Sequence, residues 1–194
     1  MRFWVSVSLL LIMCVAANCR GRSSYSFAQA RKKRANELSL AGLRPARDEV
    51  NRAFVLYKKP DLRSENGEHQ QRWSDICYKT ILSVDGDASH KIQIVRVSEA
   101  DWLIGDCVPT IPPSPWVTGR GLRVWDSSRH VIKLYGEPDS RSPSTKGGQQ
   151  LELLYYAFDW AGPDVPQVME VLCTPEKDGK PGRVVEITLA GPSL

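Results

Sequence analysis

The sequence predicts an α+β protein made of two tandem units, each a short helix followed by an antiparallel sheet. Three observations predict it. Residues 48–60 (DEVNRAFVLYKKP) and 126–138 (DSSRHVIKLYGEP) align on their prolines, sharing Asp48 with Asp126, Leu56-Tyr57 with Leu134-Tyr135, and Pro60-Asp61 with Pro138-Asp139. Upstream, Gly42-Leu43-Arg44 answers Gly121-Leu122-Arg123 with a one-residue slip; downstream, Gln70-Gln71 answers Gln149-Gln150. Each motif is followed by stretches of strand composition. A copy of roughly 60 to 70 residues is small for an independent core, so the two units are expected to share an interface.

Residues 1–17 read as a signal peptide: Arg2, an apolar run over residues 3–17, and small residues Val15-Ala16-Ala17 for cleavage. The run is about 15 residues, short of the roughly 20 that span a bilayer. Residues 18–38 form a basic arm without apolar periodicity, expected to be a flexible tether. Cys19 invites lipid attachment, although Asn18 stands where a lipobox has a smaller residue.

The first unit spans residues 39–98. Asp48 is expected to cap a helix whose Val50, Ala53, Phe54 and Tyr57 form one apolar stripe, and Pro60 stops it. Strands are expected at about residues 72–78, 80–84 and 92–97, with Asp85-Gly86-Asp87 as a turn. Residues 99–118 make a stiff linker carrying Pro109, Pro112, Pro113 and Pro115. In the second unit, 119–191, Asp126 or Ser127 caps the helix, Val131, Ile132 and Tyr135 face the core, and Gly136 ends it in the left-handed region. Strands follow at about 151–158, 167–173 and 183–189, the last two joined by the loop at 176–182.

Charge is divided unevenly. The chain holds 26 Lys and Arg and 22 Asp and Glu; six basic residues fall in 20–34, and removing these and Arg2 leaves 19 against 22, a net −3. A mildly acidic body with a basic tail excludes a nucleic-acid-binding fold, whose positive charge would sit on the folded surface. The run Arg31, Lys32, Lys33 and Arg34 instead suits contact with an anionic membrane surface.

Export places the cysteines in an oxidising compartment. A bridge between Cys77 and Cys107 would tie the linker to the sheet, leaving Cys173 or Cys19 over. No catalytic, cofactor-binding or metal residues are expected. His69, His90 and His130 lack metal-ligand spacing, Asp85-Gly86-Asp87 lacks the rest of a calcium loop, and there is no nucleophile elbow or phosphate loop. The excess is aromatic: Trp73, Tyr78, Tyr155, Tyr156 and Trp160 are candidates for a partner-binding surface. Tyr155 and Tyr156, being adjacent on a strand, must face opposite ways.

A glycine lead-in, a capped helix and the run Val131 to Tyr135-Gly136-Glu137-Pro138 before a meander resemble the SmpA/OmlA family, to which the outer-membrane assembly lipoprotein BamE belongs. Two such units in tandem are similar in layout to the β-lactamase inhibitor protein. The likeness covers residues 39–98 and 119–191; in the first unit Lys58 replaces the helix-ending glycine. It implies a non-enzymatic module outside the cytoplasm, without cofactor. The expected function is thus an exported protein recognising another macromolecule, a protein above all, through its sheet faces. The alternative is a membrane-associated envelope scaffold, held by the basic arm or a lipid on Cys19.

Overall fold

A computed structural model describes residues 39–62, 69–107, 116–158 and 167–191. The expected signal peptide and basic arm, Cys19, Trp160 and the linker prolines lie outside them.

Two helices form where the motif predicts them, α1 (Val50–Tyr57) and α2 (Ser128–Tyr135). Their caps differ. The Ser127 hydroxyl accepts from the His130 N–H and caps α2, whereas Glu49 at the head of α1 makes no side-chain cap. Asp48 instead turns back on the chain before the helix, accepting from the Arg44 backbone N–H at 2.9 Å, and Asp126 does the same for Arg123 at 2.9 Å. Asp48 reaches back four residues and Asp126 three, which accounts for the one-residue slip in the lead-in. Both helices end on a left-handed residue, Lys58 (φ 63°) and Gly136 (φ 76°).

Seven strands follow: β1 (Gln70–Asp75), β2 (Thr80–Gly86), β3 (Ile92–Glu99), β4 (Ser140–Lys146), β5 (Gln149–Phe158), β6 (Gln167–Cys173) and β7 (Val184–Ala190). Every pairing is antiparallel, in the order β1-β2-β3-β7-β6-β5-β4. The expectation of two tandem helix-plus-sheet repeats is therefore overturned. The protein is mostly β, one sheet with two short helices. The physical reason is the seam, where Val95 pairs with Leu189 and Val97 with Ile187. β3 and β7 would each be an unpaired inner edge in separate sheets, and joining them satisfies both rows of backbone groups.

The main core correspondingly spans both halves of the sheet. Leu82, Val84, Val95 and Val97 pack with Leu154, Tyr156, Met169, Val171, Ile187 and Leu189 under the helix residues Val50, Ala53, Val131 and Tyr135. At Gly86 the α1 helix comes close: an added Cβ would lie 2.7 Å from Val50 Cγ2, so only glycine fits. Phe54, expected in the core, is 37% exposed, its ring tilted against that of Trp73 with centroids 6.2 Å apart.

The outer edges are blunted. The Asp61 carboxylate accepts from the Ser74 N–H and hydroxyl beside β1, and β4 carries Pro143, which has no N–H to offer another strand.

Candidate functional site

Strand register sorts the side chains into rows across the sheet. One row, Trp73–Leu82–Val97–Ile187–Val171–Leu154, faces the helices. The next, Arg72–Ser83–Arg96–Thr188–Glu170–Tyr155, faces away from them. So does the row Ser74–Ile81–Ser98–Glu186–Leu172–Leu153. No helix among the described residues covers this second face.

Its centre is ionic and its flank apolar. Arg96 Nε donates to Thr188 Oγ1 at 3.2 Å and lies 3.4 Å from a Glu186 carboxylate oxygen, whose other oxygen takes a bond from the Lys146 ammonium. Lys146 is on β4 and Glu186 on β7, three strand spacings away, about 14 Å in a flat sheet. Their contact joins strands three places apart across the open side of the sheet. Leu153, Leu172, Ile94, Val168 and Tyr155 are half-buried around the ions.

One end of the sheet is tied by the Cys77–Cys107 disulfide. There the Arg183 guanidinium stacks 4.1 Å over the Trp125 ring and pairs with Glu99 at 2.7 Å, and the Trp125 indole N–H donates to the Tyr78 carbonyl at 3.0 Å. Burial pushes the Glu99 carboxyl up; Arg183 pulls it back only in part.

No protein-family model matches the chain, and no curated protein matches it. Among solved structures it is similar to a DUF4309 family protein (YjgB) from Bacillus subtilis, at 10% identity over 77% of this chain and 82% of that one, with a TM-score of 0.43. It is also similar to a cysteine-rich secretory protein from Staphylococcus aureus, at 9% identity over 82% of this chain and 48% of that one, with a TM-score of 0.44. The chain thus spans about half of the second protein. Likeness at this level says nothing of what the chain binds. The resemblance to the SmpA/OmlA family, and the tandem layout taken from the β-lactamase inhibitor protein, are overturned. Among the described residues, one continuous seven-strand antiparallel sheet with two short helices stands in place of both.

Of the residues singled out from sequence, Tyr155 lies half-exposed on the open face and Tyr78 is 39% exposed in the turn after β1. Trp73 (4% exposed) and Tyr156 (0%) are core residues on the helix side, which removes both from the open face. Their ring polar atoms are satisfied there: the Trp73 indole N–H donates to the Lys58 carbonyl and the Tyr156 hydroxyl to the Gly136 carbonyl. The Cys77–Cys107 bridge forms as expected, and Cys173 is left reduced and buried. Sequence reasoning missed Arg96, Glu186 and Lys146. The polar alternation of Arg96 and Ser98 was signal enough for an outward face, but not for an ion pair between distant strands. The same reasoning placed Trp102 (61% exposed), near the other aromatics, and Ile104 (94%) in the linker.

Burial first, then the Glu152 carboxylate, pushes the Cys173 thiol up to about 12, far from a nucleophilic thiolate. Among the described residues no three His, Cys, Asp or Glu side chains converge to hold a metal.

Proposed function

We propose that this is an exported, non-enzymatic protein that binds another protein through the open face of its sheet. The observation that carries this reading is the stretch of the helix-free face in which Tyr155, Leu153 and Leu172 lie beside the Arg96–Glu186–Lys146 ion network. Half-buried Tyr and Leu supply rigid apolar contact area, and a central arginine supplies directional bonds, the composition of interface anchors. The ions already satisfy one another, so the free face is held in shape before a partner arrives and little ordering entropy remains to be lost. Export is supported by the disulfide, which persists outside reducing compartments.

The test is a photo-crosslinking amino acid placed at Tyr155 on the open face, compared with one at Val55, 82% exposed on the helix side. In the native exported fraction, position 155 should join one discrete protein and position 55 none. Equal capture from both positions, or none from 155, would refute the open face as the binding surface.

A further inference from the structure

A second surface lies at the disulfide end. The segment after β3 is anchored by Ala100 and Leu103, which pack on Ile81 and Leu62. With Leu103 held inward, Trp102 and Ile104 are left outward, 61% and 94% exposed. On the other side of the Cys77–Cys107 bond stand Ile76 (37% exposed) and Tyr78 (39%). The two arms touch, since a Cβ on Gly105 would lie 3.2 Å from Ile76 Cδ1. Four large apolar side chains are thus stapled outward at one end of the sheet, where a folded chain ordinarily leaves only scattered ones.

Beside them is a cleft of about 440 Å³ whose walls include Ile76 and Cys77. Its aromatic side is Tyr57, Trp73 and Trp116, with Tyr57 6.0 Å from Trp73 and 6.1 Å from Trp116 between centroids. Asp61, Asp75 and Asp106 line it against the single cation Lys59. Ser74 fixes the Asp61 carboxylate and the Tyr78 N–H fixes Asp75, bonds that orient these anions without neutralising them. Aromatic rings beneath fixed negative charge favour an ammonium or guanidinium group.

We propose that this end of the molecule docks a protein partner that places a Lys or Arg side chain in the cleft and an apolar hollow over Trp102 and Ile104. Charge decides against a bilayer: Asp101 and Asp106 flank the apolar pair, and anionic headgroups would be repelled by the same carboxylates that attract a basic side chain. The site meets the open face only at Ser74 and Ile81, away from Tyr155 and the Arg96–Glu186–Lys146 network, and either surface can fail its test without the other.

The test follows the Trp73 and Trp116 indole N–H resonances of the ¹⁵N-labelled protein during titration with N-acetyl-lysine methylamide, N-acetyl-arginine methylamide and the neutral N-acetyl-norleucine methylamide. A saturable shift is expected with the two cations, at least tenfold weaker with the neutral probe. An Asp75→Asn/Asp106→Asn variant with an otherwise unchanged spectrum should lose at least tenfold in affinity. Mixed phosphatidylcholine and phosphatidylglycerol vesicles should produce no emission change that Trp102→Phe removes. Equal response to the neutral probe, full binding by the double variant, or Trp102-dependent vesicle binding would each overturn the proposal.

Discussion

Tyr155 and Tyr156 are neighbours in sequence and sit on opposite sides of one sheet, and the contrast between them is the contrast between the two faces. Tyr156 is fully buried, its ring 5.7 Å from Tyr135 and 6.4 Å from Phe158, with its hydroxyl bonded to the end of α2. Tyr155 lies in register with Glu170 and, one strand further, Thr188, and no helix among the described residues covers it. The covered face derives its stability from apolar burial, while the open face carries half-buried apolar groups beside paired charges. A single alternation in the chain separates the buried side of the sheet from the open one.

The largest expected effect lies at the seam. Ile187→Ala removes a fully buried side chain between β3 and β6 and should cost about 2–5 kcal/mol, with all seven strands melting in one transition. On the opposite face, Glu186→Gln should cost about 1 kcal/mol or less, because Arg96 and Lys146 are a third or more exposed. Calorimetry distinguishes the outcomes, and two separate transitions would mean that the halves fold apart.

Next is the staple. Replacing Cys77 and Cys107 by Ser should lower stability by about 2–4 kcal/mol in chemical denaturation. It should also loosen the Trp102–Ile104 segment while leaving the Tyr155 face unchanged.

A smaller effect concerns Asp48, which holds the lead-in of α1 on the covered side. Burial pushes its carboxyl up, but the hydrogen bonds from Arg44 and the charges of Arg44 and Arg52 outweigh burial and leave it below the usual carboxylate value. Because the folded value is the lower one, this contribution is complete above the unfolded carboxylate range, near pH 4, and disappears as pH falls through the folded value. Asp48→Asn should cost about 1–2 kcal/mol at neutral pH and much less at pH 2, read from melting temperatures.

The smallest is at the helix ends. Lys58 occupies the left-handed conformation that Gly136 occupies without strain, so Lys58→Gly should stabilise by about 0.5–1 kcal/mol in thermal unfolding.

Much of this fold could be read locally. The two helices and six of the strands follow from apolar spacing, within a few positions, whereas the turn expected at Asp85-Gly86-Asp87 begins only at Asp87, with Asp85 and Gly86 still in β2. β4 was missed because SRSPSTK has no apolar alternation: it is an edge strand exposed on both sides, defined only by its partner β5. The larger error, two sheets in place of one, arises from the β3–β7 pairing, a contact between residues some 90 positions apart that no local pattern encodes. For the binding surface, sequence identified aromatic residues but not their sides. Trp73 and Tyr156 satisfy the same composition rule as Tyr155, and only the register assigns them to the core. Trp102 and Ile104 were read as linker because their exposure depends on Leu103 turning inward and on the disulfide.

The most direct measurement is equilibrium unfolding of Tyr155→Ala beside Tyr156→Ala. Removing the buried ring should cost about 3–5 kcal/mol, and removing the open-face ring about 1 kcal/mol or less. Equal losses, or a greater loss at Tyr155, would show that the two faces are not divided between core and contact surface.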